Sequence, residues 1–256
     1  MCLIVLAHRA HPSHPLLIAA NRDERSDRPT EPMQLLSEGP PRVAGGRDLL
    51  AGGTWMAINE HGLVAGITNQ RGALGRDGRK RSRGEIPLRL AGLRSAPEAA
   101  EHARTLVPAD YNPCTLLLAD GRDAFYLELI EGDAIVRPLP PGLHILENRA
   151  LGAISPKASH VAALMAGYTN KDGDALLDHL EGVLADGTIP VDAPLDRPVE
   201  LEAARVRLDG YGTRSSTLVR GCLDEPPEVW FIDGVPGSGQ RERFEGLTDA
   251  FPPAAP

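Results

Sequence analysis

Two apolar runs, residues 2–7 and 15–20, open the chain, and a short loop that contains Pro12 separates them. Apolar runs of this length predict strands, and the proline between them predicts the turn of a hairpin. Both runs are apolar at nearly every position, whereas a strand with one face in water alternates between apolar and polar residues. The hairpin is therefore expected to lie inside a layered fold, with another layer against each of its faces.

Further strand and helix signals follow along the chain. Asn59 and Gly62 bound a turn between two apolar runs and predict a second hairpin, in which the glycine tolerates a positive φ. Ser95 is placed to cap a helix, and Pro87 is compatible only with the first turn of another. Strands are expected at 53–59, 62–69, 114–119, 124–129, 134–137, 213–220 and 229–233, and helices at 84–93, at 97–106, from 155 onward and at 172–184.

The order of these elements is strands, helices, strands, helices and strands again, which is typical of an α+β fold. Two antiparallel sheets that pack together, with helices outside each, accommodate this order as a four-layer αββα sandwich. A single domain of residues 1–256 is predicted. Polar composition predicts irregular loops at 21–46 and 70–83, which are expected to shape a pocket, and a surface excursion at 186–200.

Composition excludes several classes of protein. A formal net charge of -8 argues against a general binder of nucleic acid or anionic membranes, because such proteins depend on clustered Lys and Arg. An apolar run of the roughly 20 residues that a membrane helix needs is absent from the sequence. Three cysteines without a CxxC pair indicate a reducing compartment and no zinc site. The first apolar run also lacks the features of a secretory signal, so a cytoplasmic location is predicted.

Cys2 directly follows the initiator methionine. Removal of Met1 would leave one residue that carries both a thiol and a free α-amine. The α-amine has a reference pKa of about 7.7 to 8.0, so it could take the proton of the thiol and return it to a leaving group. The alternative is that Cys2 is a small buried residue of a strand, as most cysteines are.

Several motifs resemble those of the NRDE family, also called the transport-and-Golgi-organisation family. This family is thought to share the N-terminal-nucleophile hydrolase fold, and its members have been linked to Golgi organisation, lipid and acyl-CoA homeostasis and haem transfer. The motifs that carry the resemblance are Met1-Cys2, Ala20-Asn21-Arg22-Asp23-Glu24, Gly52-Gly53-Thr54-Trp55, Gly62-Leu63, Thr68-Asn69, Arg83-Gly84-Glu85 and Gly210-Tyr211-Gly212-Thr213-Arg214.

More distantly, the layout is similar to that of the cholylglycine hydrolase and penicillin V acylase group. In that group a processed cysteine attacks, an aspartate orients its amine, asparagines contact the oxyanion and a late arginine sits beside the thiol. The chain departs from the group in having Ala20 where the group has an arginine, and Arg22 is out of register to replace it. The resemblance assigns the catalytic roles to Cys2, Asp23, Asn69, Asn148 and Arg214.

Three further residues are candidates for substrate binding. Asn21 and Arg22 belong to a polar cluster that ends an apolar strand, where a site is more often found than within a polar loop. The same cluster could be a structural turn held by local hydrogen bonds. Trp55 is a candidate ligand platform, although a tryptophan in a strand usually packs in the core.

Two motifs invite an interpretation that the residues do not favour. His8, His11 and His14 repeat at a spacing of three, but positions i and i+3 of a strand face opposite sides. We expect a solvated hairpin loop there rather than a metal or haem site, and no metal site is predicted. The glycine pairs at 45–46 and 52–53 are not a phosphate loop, because no GK[ST] motif follows them.

Two hypotheses about function follow. The first is an N-terminal cysteine hydrolase that acts on a small amide or thioester and needs no cofactor. The second is a protein that binds and transfers haem or a fatty-acyl group without hydrolysis, in which Arg22, Arg25 and Arg214 would pair with propionates or a phosphate. Against haem stand the 4% aromatic content and the absence of a CxxCH motif.

Overall fold

The computed structural model describes residues 2–70, 76–130, 132–223 and 225–248. The helices are α1 (Glu85–Ala91), α2 (Ala96–Ala103), α3 (Pro156–Leu164) and α4 (Gly173–Ala185), with 3-10 turns at Pro108–Asp110, Tyr168–Asn170 and Val199–Glu202. The strands are β1 (Cys2–His8), β2 (Leu16–Arg25), β3 (Thr30–Ser37), β4 (Val43–Asp48), β5 (Met56–Asn59), β6 (Val64–Asn69), β7 (Cys114–Ala119), β8 (Ala124–Ile130), β9 (Asp133–Pro138), β10 (Gly142–Leu146), β11 (Arg207–Leu208), β12 (Tyr211–Gly221), β13 (Glu228–Asp233) and β14 (Arg241–Phe244).

The strands form two antiparallel sheets. The first sheet has the order β10-β1-β2-β12-β13-β14, with β11 paired to β12, so the chain's opening hairpin lies at its centre. The second sheet has the order β3-β4-β5-β6-β7-β8-β9 and follows the order of the sequence. The near-uniform apolar character of β1 and β2 thus has the expected cause, because both strands are covered on two faces.

Three apolar clusters separate four layers. The first cluster joins α1 and α2 to the second sheet, through Ile86 and Leu90 among others. The second lies between the two sheets and includes Ile4 and Leu6 of β1. The third packs α3 and α4 against the first sheet. The predicted α+β sandwich of αββα layers is therefore confirmed.

The irregular loop predicted for 21–46 is wrong in most of its length. β2 continues to Arg25, and the segment then forms β3 and β4. Polar side chains misled the prediction, since the end of β2 is held by backbone pairing with β12 as far as Arg25↔Tyr211. Residues 71–75 of the loop predicted at 70–83 lie outside the described residues.

Local signals were more reliable at caps and turns. The Ser95 side chain accepts a hydrogen bond from the backbone N–H of Glu98 and caps α2. Pro87 lies in the first turn of α1, where its missing N–H would have no helical partner. Gly62 has φ 84°, as the predicted turn requires. All three predictions are confirmed.

The hairpin loop between β1 and β2 is not solvated as predicted. His8 and His11 are buried. The ring of His11 stacks on that of His14, with 4.9 Å between centroids, and its Nε2 lies 2.9 Å from the carbonyl oxygen of Lys171. His14 Nε2 lies 2.7 Å from Oδ1 of Asp172. The histidines therefore dock the loop onto the start of α4.

The longest of the described helices, α4, has 13 residues. A membrane-crossing helix needs a long apolar stretch. Among the described helices none is both long enough and apolar enough to cross a membrane.

Candidate active site

The register of the opening hairpin places Cys2 beside the NRDE motif. Cys2 lies directly opposite Arg22 in the antiparallel pair of β1 and β2. Directly opposed residues of antiparallel strands point to the same face, with Cβ atoms about 4.5–5.5 Å apart. Both side chains also line one pocket. Arg22 thus lies on the same face as Cys2, although it does not occupy the position of Ala20, which is opposite Ile4.

The thiol of Cys2 lies in a buried, mixed electrostatic environment. Burial raises the pKa of the Cys2 thiol above its ordinary value, and the negative charge of Asp23 acts in the same direction. A hydrogen bond from the backbone of Asp23 and the positive charge of Arg22 lower it. The thiol is therefore mostly protonated at neutral pH, and a base is needed to activate it.

Asp23 is held in one orientation by the neighbouring strand. Its Oδ1 accepts a hydrogen bond of 2.7 Å from the hydroxyl of Thr213, and the two residues are opposed in the pair of β2 and β12. Burial raises the pKa of the Asp23 carboxyl, while the positive charge of Lys157 opposes that effect. Lys157 lies on α3, is buried and donates to the carbonyl of Leu201 over 3.3 Å.

Asn148 is hydrogen-bonded to two other residues of the predicted site, Cys2 and Asn69. Its Oδ1 accepts a hydrogen bond of 3.2 Å from the backbone N–H of Cys2. Its Nδ2 donates to the backbone carbonyl of Asn69 at the end of β6. The structure thus brings Cys2, Asn69 and Asn148 together across the two sheets. Met1, on whose removal a free amine depends, lies outside the described residues.

A pocket of ≈ 520 Å³ opens above Cys2. Seven basic and three acidic side chains of the described residues line it, although the whole chain has a net charge of -8. The loop that leads into α1 supplies four of these cations. The basic residues are Arg22, Arg25, Arg28, Arg76, Lys80, Arg81 and Arg83, and the acidic ones are Asp23, Glu24 and Asp48.

Trp55 supports the pocket rather than simply filling the core. The guanidinium carbon of Arg22 lies 4.4 Å from the centroid of the Trp55 ring, within the range of a cation–π contact. The ring packs so closely on Gly46 that a Cβ there would lie 2.0 Å from it. A Cβ on Gly53 would lie 2.4 Å from the backbone of Gly84. The predicted glycine pairs therefore serve close packing around the pocket.

Asn21 does not line this pocket, contrary to its predicted role in substrate binding. It is buried on the opposite face of β2. Its Nδ2 donates to the carbonyls of Leu184 and Ala204 over 2.8 and 2.9 Å, and its Oδ1 accepts from Ser216 over 2.6 Å. Since successive residues of a strand alternate between faces, Arg22 in the pocket requires Asn21 under the helices. Asn21 is thus a structural residue.

Arg214 is not beside the thiol, where the resemblance placed it. The pairing of β2 and β12 shifts between Thr213 and Ser215, so Arg214 is the extra residue of a β-bulge. Its guanidinium donates to the backbone carbonyls of Arg25 and Ser26, the former over 3.0 Å. Bulges re-aim side chains, and Arg25 lies about 10 Å along the strand from Arg22. Arg22 occupies the position expected of Arg214.

Sequence reasoning missed three residues around the site. Lys157 and Arg83 act electrostatically on Asp23 and on Cys2. Arg149, next to Asn148, donates to the fully buried Glu202 over 2.9 Å and to Glu147 over 3.1 Å. Only Arg83 carried a signal, as part of the Arg83-Gly84-Glu85 motif. Lys157 and Arg149 carried no signal in the sequence, because their partners are brought near by the packing of α3 and of the 3-10 turn Val199–Glu202.

A second cavity, of ≈ 830 Å³, lies on the other side of Asn69 and Tyr211, which line both cavities. Asn148 and Arg149 form part of its wall, and residues of the 186–200 excursion, Pro194 and Arg197 among them, form another. Cys2 and Asn148 therefore lie near the junction of a cationic pocket and a larger cavity. A substrate with two unlike halves is compatible with that arrangement.

Comparison with known proteins supports both the fold and a family. Residues 1–233 match the family model described as Transport and Golgi organisation 2. A Transport and Golgi organization protein 2 homolog from Bos taurus is 26% identical over 281 residues, which cover 98% of this chain and 99% of that protein.

Solved structures resemble the fold at low sequence identity. Penicillin V acylase from Agrobacterium tumefaciens has a TM-score of 0.59 and 14% identity, over 98% of this chain and 89% of that one. A Caenorhabditis elegans ortholog of N-acylethanolamine-hydrolyzing acid amidase has a TM-score of 0.56 and 14% identity, over 88% and 95% of the two chains. The predicted N-terminal-nucleophile hydrolase fold is confirmed.

Proposed function

The chain belongs to the Transport and Golgi organisation 2 family, and we propose that it is an N-terminal cysteine hydrolase of small amides or thioesters. The observation that carries this proposal is the convergence of Cys2, Asn148 and Asn69 beside a pocket. The solved proteins with the same fold are a penicillin V acylase and an ortholog of N-acylethanolamine-hydrolyzing acid amidase, and these names support an acyl substrate here.

The first step is attack by sulfur on the carbonyl carbon. In the proposed reaction Met1 has been removed, and the α-amine of Cys2 takes the proton of the thiol. A C–S bond forms as the carbonyl π bond opens to an oxyanion. Asn69, which lines both cavities, and a backbone N–H are the candidate donors to that oxyanion. Asn148 is a positioning residue, because its amide is bonded to Cys2 and Asn69.

The second step expels the leaving group. The protonated α-amine returns its proton to the departing nitrogen or sulfur as the tetrahedral intermediate collapses, and a thioester on Cys2 remains. Water then attacks this thioester with the amine as base, releases the carboxylic acid and restores the thiol. Asp23, fixed by Thr213, orients the amine and stabilises its charged form.

Hydrolysis of a panel of amides and thioesters by the purified protein tests the proposal. Product release should be lost in Cys2→Ser and Cys2→Ala, and should be unchanged in Cys222→Ala, a matched control at a half-buried cysteine outside the pocket. Hydrolysis that survives Cys2→Ala would place the chemistry elsewhere and contradict the proposal.

Binding and transfer of haem or a fatty-acyl group without hydrolysis is the second candidate. The cationic lining of the pocket favours it, because propionates or a phosphate would be attracted there. Titration with haem, followed by absorbance, separates the candidates. A saturable Soret shift that is equal in wild type and Cys2→Ala, with no amide or thioester hydrolysed, would favour binding over catalysis.

A further inference from the structure

The cations of the pocket differ in how many partners they already have. The Arg28 guanidinium lies 2.6 Å from Asp48 and 3.7 Å from Glu24, so it engages two of the three acids in the lining. Arg25 lies 2.5 Å from Asp27 and is exposed at the rim. These two arginines are therefore neutralised by neighbouring carboxylates before any ligand enters.

On the loop that leads into α1, one cation pairs with a carboxylate and two donate to backbone carbonyls. Arg81 lies 2.5 Å from Glu85, and Lys80 donates to the carbonyl of Tyr111 over 3.0 Å. Arg83 donates to the carbonyl of Pro113 over 3.1 Å and lines the pocket. Only part of the positive charge on this loop thus remains available.

Arg22 is the exception at the floor of the pocket. Arg22 is 5% exposed, and its guanidinium packs on the face of the Trp55 ring. Within the described part of the chain its guanidinium has neither a hydrogen-bond acceptor nor an ion pair. Guanidinium carries five N–H donors, and a buried cation without an anionic partner is costly. A ligand that supplies the anion would remove this cost.

The position of Arg22 relates that missing anion to the chemistry. Arg22 and Cys2 are opposed across one strand pair and share one face. A planar guanidinium matches a carboxylate in a two-point, parallel pair of hydrogen bonds. We propose that the substrate of this site is an amide or thioester that carries a carboxylate, and that Arg22 binds this carboxylate while Cys2 attacks the carbonyl. The identity of the attacked group rests on the proposed function, whereas carboxylate binding does not.

Arg83 has a supporting role. It lines the same pocket, and its charge acts on Cys2. Arg25, Arg28 and Arg81 already pair with carboxylates of the chain, so they contribute less to binding an anion. Arg22, which stacks on Trp55, is thus the residue that selects a carboxylate. The other half of the substrate extends toward the second cavity, beyond Asn69.

Equilibrium binding in the Cys2→Ala protein tests this inference without turnover. The probes are the monoanilides of succinic, glutaric and adipic acid, each paired with its uncharged methyl ester, and binding is measured by calorimetry. We expect at least one acid to bind about tenfold or more tightly than its ester. Arg22→Leu should abolish that preference. Arg22→Lys should retain part of it, because lysine keeps the positive charge but cannot donate two parallel hydrogen bonds to a carboxylate.

Arg104→Leu is the matched control, since Arg104 is a cation of α2's end outside the pocket and should leave the preference unchanged. Equal binding of acid and ester, undetectable binding of every acid at millimolar concentration, or a preference that survives Arg22→Leu in a folded protein would overturn the inference. If the wild type hydrolyses the anilide bond of the methyl esters but Cys2→Ala shows no preference for the acids, the proposed function is supported and the carboxylate inference is wrong. Acid binding through Arg22 without hydrolysis would do the reverse.

Discussion

At the scale of single residues, the NRDE motif is divided between the two faces of β2. Arg22 points between the sheets, lines the pocket and rests on Trp55, whereas Asn21 points to the helices. Neighbouring residues of one motif therefore have unlike duties, one in the site and one in the packing of a layer.

We expect Asn21→Ala to destabilise the protein by about 2–4 kcal/mol, because three buried hydrogen bonds are lost and two carbonyls are left without a donor. Urea unfolding measures the change. Gln240→Ala, at an exposed position, is the control and should stay within about 0.5 kcal/mol of wild type. A similarly small effect for Asn21→Ala would contradict its structural role.

Arg22 is also expected to control the reactivity of the thiol. The pKa of Cys2 is raised by burial and lowered by Arg22, so Arg22→Leu raises it further and reduces the thiolate fraction at a given pH. Alkylation of Cys2 by iodoacetamide, followed by peptide mass spectrometry at pH 8, should slow by about three- to tenfold. The rate should rise with pH in both proteins. An unchanged rate would show that Arg22 does not act on the thiol.

The sequence predicted the site residues whose position depends on their place in the chain, and it failed for those whose position depends on how strands pair. Cys2 stood out by its position after Met1, the resemblance added Asp23 and Asn148, and the structure places the three together. Arg214 was expected beside the thiol, but a bulge in β12 directs its side chain to the carbonyls of Arg25 and Ser26. A one-residue irregularity of this kind leaves no pattern in the amino acids themselves.

At the scale of elements, the pocket depends on how closely β4 approaches β5 and how α1's leading loop packs beside them. The predicted hairpins and helix caps were readable because turns and caps have strong residue preferences. The path of β3 and β4 was not, since their polar residues are ordered by pairing rather than by an apolar pattern of their own.

Gly46→Ala tests the support beneath Arg22. A Cβ would lie 2.0 Å from the Trp55 ring, so the ring must move and the arginine with it. We expect a loss of about 1–3 kcal/mol in unfolding free energy together with a change in the Cys2 alkylation rate. Gly182→Ala in α4, where nothing lies within 4 Å, should be neutral or stabilising. The two variants behaving alike would refute the close packing at Gly46.

The buried cluster beside Asn148 predicts a dependence of stability on pH. Burial raises the pKa of Glu202, but the hydrogen bonds from Arg149 and Arg197 outweigh burial and leave it below its ordinary value. A lowered folded pKa stabilises the fold above the unfolded value and ceases to do so as pH falls through the folded one. The stability deficit of Glu202→Gln should therefore be full at pH 7 and shrink below about pH 4.5. A deficit that is constant down to pH 3 would contradict this assignment.

At the scale of the whole molecule, the pocket has the opposite charge to the chain as a whole. The net charge of -8 describes the sum, while the one pocket above Cys2 gathers seven of the basic side chains. Composition reports only that sum, which is why the pocket's sign could not be predicted. The same separation means that the fold, rather than the composition, determines which ligands approach the thiol.

The central claim is that Cys2 acts as an N-terminal nucleophile, and mass spectrometry of the purified protein after brief reaction with an acyl-donating thioester tests it most directly. We expect a chain that begins at Cys2 and gains a single acyl group on the Cys2 peptide, a modification that is absent from the Cys2→Ala protein. A chain that retains Met1 in full, or that is acylated only at Cys222, would contradict it.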